Sequence, residues 1–140
     1  MLHLKVKSLL KSHSLAVTKN RLKVLSYFLK INKPIELKTI NLEFNSFDRV
    51  TLFRVLNTFE KSKLIHNIIL DNGKKFFALC NRKCSKLGSH SHSHIHFICE
   101  KCDDVSCVEI DNLPTIELTG HHLHNININA SGICKNCVNY

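Results

Sequence analysis

The chain has 140 residues, a length that fits one ordinary domain or two very small ones. Hydrophobic residues make up 44% of it, which excludes wholesale disorder, and no window approaches the roughly 20 apolar residues of a membrane span. Lys and Arg outnumber Asp and Glu by 20 to 11, and the net charge of +9 points to a polyanionic partner, nucleic acid first and an acidic membrane surface second.

The opening segment, MLHLKVKSLLKSHS, is interrupted by Lys5, Lys7 and Lys11 and lacks the long apolar core of a secretory signal, so a cytoplasmic location is expected. In that compartment seven Cys read as metal ligands or reactive thiols rather than disulfides. Residues 1–80 carry most of the Lys and Arg and a single cysteine, Cys80, whereas the remainder carries six Cys and most of the His. A Lys/Ser/Gly stretch over residues 81–89 reads as a loop between them, giving expected domains at 1–82 and 83–140.

In the first region, KNRLKVLSYFLKI places Leu22, Leu25, Phe28 and Leu29 at helical spacing, with Thr18 as N-cap and Pro34 as terminator. IELKTINLEF reads as a short second helix. The third, within FNSFDRVTLFRVLNTFEKSKLI, carries the apolar stripe Leu52, Val55, Leu56 and Phe59, with Ser46 or Asp48 capping its start. LIHNIILDNGKKFFALC then shows two β-rich runs around Asp71-Asn72-Gly73, a hairpin signal. Three helices followed by a hairpin make a winged helix-turn-helix.

The second region opens with GSHSHSHIHFICEKC, where His90, His92, His94 and His96 alternate and line one edge of an extended strand ending at Cys99. Short extended pieces are expected at 105–109 and 116–118. Another is expected in HNININASGIC, where Ile126 and Ile128 alternate with asparagines. The fold class is therefore α+β, a winged helix followed by a small metal-binding module.

Cys99, Cys102, Cys134 and Cys137 form two Cys-x-x-Cys knuckles, each suited to one side of a tetrahedral zinc ion. A redox dithiol is the alternative, but it needs no second knuckle. On the helix spanning 48–61, the face opposite the apolar stripe offers Val50, Arg54, Asn57 and Lys61, with Phe53 on its flank. Arg and Asn read base edges in the major groove and an aromatic ring contacts a thymine methyl. The alternative is a solvated face with Phe53 tucked into the core. Lys74 and Lys75 on the hairpin would meet phosphates.

RLKVLSYFL, VTLFRVLNTFEKSKLIHNI, the hairpin, HIHFICEKC and the final Cys-x-x-Cys follow one another in an order that resembles the Fur family of metal-responsive repressors, over residues 17–137. TLFRVLNTF is similar to that family's recognition helix, with Phe53 where tyrosine is usual, and it adds Thr51 to the expected DNA contacts. The resemblance implies a homodimer, with the cysteine zinc in a C-terminal α/β dimerisation domain and a second, regulatory metal at the hinge. Metal binding would close the dimer onto an AT-rich palindromic operator and repress metal-uptake genes, serving metal homeostasis.

Iron- and peroxide-sensing members are similar in using a His near Pro34 and, in the iron type, a Glu late in the wing. Here those places hold Asn32-Lys33-Pro34 and Ala78. The zinc-sensing Zur group instead uses a His and a Cys, and this chain offers His66 and Cys80. His94 and His96 match the family's HxH, with His90 and His92 beside them. Cys107 falls where relatives place an acidic ligand, Glu109 lies two residues on, and His124 matches a His of another site. A thiolate in the set favours Zn2+ by its softness, with Fe2+ or Mn2+ as alternatives, and hence an iron- or peroxide-sensing role as the alternative function. No His-Glu-x-x-His or thioredoxin-like context points to an enzyme. A His-rich metal store is a third reading.

Overall fold

The computed structural model describes residues 1–80, 94–112, 114–124 and 126–139, and the chain divides into two compact units, Met1–Asn81 and Arg82–Tyr140. The first unit runs α1 (Leu2–Ser12), α2 (Lys19–Ile31), β1 (Ile35–Glu36), α3 (Leu37–Glu43), α4 (Arg49–Lys61), β2 (Ile65–Ile69) and β3 (Lys75–Leu79).

Thr18 caps α2 as expected, its Oγ1 accepting from the Arg21 amide at 3.3 Å. The helix ends earlier than Pro34 requires. Asn32 adopts the left-handed conformation at φ 52° and donates its N–H to the Phe28 carbonyl, so an αL cap, rather than the proline, stops the helix. The expected second helix is split, because Ile35 and Glu36 pair with Phe77 and Phe76 as the edge strand of the wing before α3 begins. Asp48, not Ser46, stands at the N-cap of α4, although its side chain makes no capping hydrogen bond.

The stripe Leu52, Val55, Leu56 and Phe59 is buried and joins Val24, Leu25 and Phe28 of α2 in one core. That core also contains Val6 and Leu10 of α1, a helix packed on α2 that the sequence reading did not anticipate. Tyr27 and Phe44 close one side with an edge-to-face contact at 5.5 Å. The wing is the antiparallel sheet β1-β3-β2. At its tip the Gly73 amide donates to the Leu70 carbonyl and the Leu70 amide to Lys74. Gly73 takes φ 83°, the left-handed residue that closes a three-residue hairpin loop.

Among its described residues the second unit has a three-stranded sheet in the order β5-β4-β6, built from β4 (His94–Cys99), β5 (Val105–Glu109) and β6 (Asn129–Gly132). β4 is central, antiparallel to β5 and parallel to β6. A short helix, α5 (Lys135–Val138), follows with Cys134 at its N-cap position. Residues 116–118 form no strand, and β6 begins only after Ile126 and Ile128. Both corrections share a cause: Ile116, Leu118 and Ile126 are exposed, so no buried face enforces strand pairing there. The expected loop at 81–89 and the start of the histidine strand, with His90 and His92, lie outside the described residues, as does the side chain of His94. Among the described residues no helix is long and apolar enough to cross a membrane.

Candidate metal centre and nucleic-acid interface

In the second unit the β4–β5 turn and the start of α5 deliver the four cysteines. The Asp103 amide donates to the Cys99 carbonyl and the Cys99 amide to Asp104, folding Cys102 back toward Cys99. Cys134 and Cys137 share one turn, because the Cys137 amide donates to the Cys134 carbonyl. All four sulfurs lie within 4.8 Å of one another. Sulfurs bound at the usual ~2.3 Å to a tetrahedral zinc stand about 3.8 Å apart. Cys102 Sγ and Cys134 Sγ are 3.9 Å apart.

The Cys134 amide donates to Cys99 Sγ at 3.4 Å. This bond, aided by the Cys102 amide, draws the Cys99 thiol down to about 6. Cys137 is pushed up to about 12, chiefly by its hydrogen bond with the Cys134 thiol. Four thiols this close do not ionise together without a cation among them, and the soft sulfur set fits zinc. Sequence reasoning singled out these four residues, and the fold brings them together.

In the first unit the wing contributes a second pair of donors. The Cys80 amide donates to the Leu64 carbonyl, and His66 stands opposite Ala78. Strand alternation therefore puts His66 and Cys80 on the sheet face opposite Ile65 and Phe77, which enter the core. Cys80 Sγ lies 3.4 Å from His66 Nδ1. A sulfur and an imidazole nitrogen sharing a tetrahedral zinc stand about 3.6 Å apart. Both residues are half-buried.

In the second unit the register sets Cys107, His96 and Asn129 side by side on β5, β4 and β6. His96 is only 4% exposed. Burial lowers its pKa, against an opposing hydrogen bond from Nδ1 to Asn129 Oδ1 at 3.1 Å. Glu109 pairs in register with His94, one step along the same face. His124 is exposed in the segment before β6, and neither it nor Glu109 belongs to the cysteine cluster.

The outer face of α4 is open. Phe53 is 68% exposed rather than tucked into the core, Val50 and Arg54 are exposed, and Thr51 and Asn57 are half-buried. Glu60 at the other end accepts a 2.7 Å hydrogen bond from Asn67 Nδ2 of β2, tying helix to wing. Lys74 is exposed at the wing tip, while the Lys75 ammonium sits 5.0 Å from the Phe77 ring centre. Sequence reading missed Lys38 and Asn41 of α3, which line an open groove of about 460 Å³ with Gly73, Lys74, Lys75 and one acid, Glu36. Nothing in the local sequence marks them, because the groove exists only once β1 pairs with β3.

A winged helix with a basic, aromatic-bearing outer face, followed by four clustered cysteines able to hold a metal ion, fits a metal-dependent DNA-binding regulator. The chain belongs to the Ferric uptake regulator family, whose model matches residues 12–134. The ferric uptake regulation protein of Staphylococcus aureus is 31% identical over 137 residues, covering 92% of this chain and 93% of that protein. Among solved structures, a zinc uptake regulator complexed with zinc and DNA superposes with a TM-score of 0.69 at 18% identity, covering 99% of this chain and 93% of the other. The Vibrio cholerae ferric uptake regulator gives a TM-score of 0.55 at 24% identity, covering 89% and 96%. These structural likenesses establish the fold.

Proposed function

We propose that this protein is a zinc-responsive transcriptional repressor that binds a palindromic, AT-rich operator as a homodimer. The cysteine cluster holds a structural zinc. A second, regulatory zinc takes His66 and Cys80 from the first unit and His96 and Cys107 from the second, with His94, Glu109 and His124 as further candidates. Because a ligand set split between two units binds tightly only when they close, occupancy favours the closed form by its differential affinity. By linkage, operator DNA tightens zinc binding by the same factor.

The observation that carries the zinc reading is the 3.4 Å thiol–imidazole pair of Cys80 and His66, a softer donor set than ferrous iron prefers. The 31% identity to a ferric uptake regulation protein favours the second reading, an iron sensor of the same architecture. The exposed apolar side chains of the second unit, Val108, Ile116, Leu118 and Leu123, support dimerisation. On DNA, Thr51, Phe53, Arg54 and Asn57 read bases while Lys38, Lys74 and Lys75 meet phosphates.

Gel-shift titration with buffered free zinc, comparing wild type with Cys80→Ala and His66→Ala, tests the proposal. Both variants are expected to need free zinc more than about tenfold higher, beyond the low end of what losing an outer-layer partner costs. Unchanged zinc dependence in both removes the pair from the sensing site. Ferrous iron acting at free-metal levels where zinc fails reassigns the metal.

A further inference from the structure

The side chain of Asn129 is not explained by the sheet it belongs to. β6 is an edge strand, and an asparagine there normally turns its amide to water. Asn129 stays exposed at that edge, yet its amide oxygen is directed at His96 Nδ1, 3.1 Å away, and the ring it meets is only 4% exposed. The contact is fixed by backbone on both sides. Asn129 is the parallel register partner of His96, and the His96 amide donates to the Ile128 carbonyl one residue earlier.

An amide oxygen only accepts, so this arrangement places the imidazole proton on Nδ1 and leaves the lone pair on Nε2. In the opposite tautomer, Nδ1 would face the oxygen lone pair to lone pair. Resting on the proposed sensing role of His96, we infer that Asn129 is a positioning residue that locks His96 in the Nδ1–H tautomer and so presents Nε2 as the metal donor. Cys107 flanks the same ring from β5, as the antiparallel partner of His96. The imidazole is thus held in a row with its proton committed to one neighbour. A neutral acceptor in this place orients the ligand without adding charge to the site. Ligating histidines commonly hold their second nitrogen this way, on a carboxylate, a carbonyl or a water.

Asn129→Leu keeps the branched outline of the side chain and removes the acceptor, and Asn129→Asp keeps the acceptor. Metal competition on the full chain, with the cysteine-held zinc counted separately, reads the outcome. The Leu variant is expected to lose about 10- to 100-fold in affinity for the second ion while keeping one tightly held zinc. The Asp variant should bind at least as well as wild type. Nitrogen-15 shifts of the His96 ring in wild type, with the second ion removed and the cysteine zinc kept, are expected to report protonated Nδ1 and unprotonated Nε2.

A dominant Nε2–H tautomer overturns the inference whatever the metal data say. So does an unchanged second-ion affinity in Asn129→Leu when His96→Ala has lost it. If His96→Ala itself leaves that affinity unchanged, the sensing role of His96 falls, and the inference with it.

Discussion

Replacing Cys134 with serine removes one thiolate while keeping a residue suited to the N-cap of α5. In the described part of the second unit, the buried apolar side chains are Cys99 and Val105, with Ile95, Phe97 and Ile98 half-buried. Complete burial of a valine contributes about 1.5–3 kcal/mol, whereas each residue ordered into a strand costs about 1–2 kcal/mol in backbone entropy. A four-cysteine zinc contributes on the order of 10–16 kcal/mol at neutral pH. The ion therefore dominates the local balance. Cys134→Ser should lose one zinc per chain and unfold the β5-β4-β6 sheet, while the first unit, with its own core of Val6, Leu25, Phe28, Phe59 and Ile65, stays folded. Amide NMR spectra of the full chain, with metal analysis of the same sample, report both halves at once. Zinc loss with dispersed β4–β6 resonances retained would refute the reasoning, since the sheet would then stand on packing alone.

Two aromatic residues of α4 should behave in opposite ways: Phe59→Ala, at a fully buried site, is expected to cost about 3–5 kcal/mol in denaturant unfolding. Phe53→Ala should leave stability within about 0.5 kcal/mol yet weaken operator binding at least about fivefold, the ~1 kcal/mol low end for a base contact. Lys38→Ala and Lys74→Ala should each lower the salt slope of DNA binding by about 0.9, and affinity should fall alike for operator and random DNA. His96 should titrate below the usual 6.5, because burial disfavours its charged form. Since the unfolded chain then binds the extra proton first, stability should decline as pH falls from 6.5 to that lower midpoint, followed by ring NMR and unfolding curves at each pH.

Much of the first unit was legible because its signals are local. Thr18 caps a helix whose stripe has the right period, and Asp71-Asn72-Gly73 closes a hairpin whose tip needs a left-handed residue. The four cysteines were legible for a similar reason, since paired knuckles advertise their own geometry. Helix α1 was not, because Leu2 and Leu4 are exposed beside the buried Val6 and Leu10, and apolar residues on several sides blur the period. Strand β1 has two residues and exists only through its pairing with Phe76 and Phe77. The alternation in NININ misled by three residues, since periodicity specifies a strand only where one face is buried. Asn129 and His96 are 33 positions apart, and nothing short of the strand register brings an amide oxygen to that imidazole.

The bond from Asn67 to Glu60 has a consequence for the duplex. With α4 and the wing joined at 2.7 Å, the two parts proposed here to fill the groove and grip phosphates would keep a set separation and meet DNA as a stiff template. On that proposal, misfit would be absorbed by the nucleic acid, through bending, twisting or a change of groove width. Operators that are easier to deform at positions no side chain touches should be bound more tightly, so part of the preference for sequence is written in the flexibility of DNA itself.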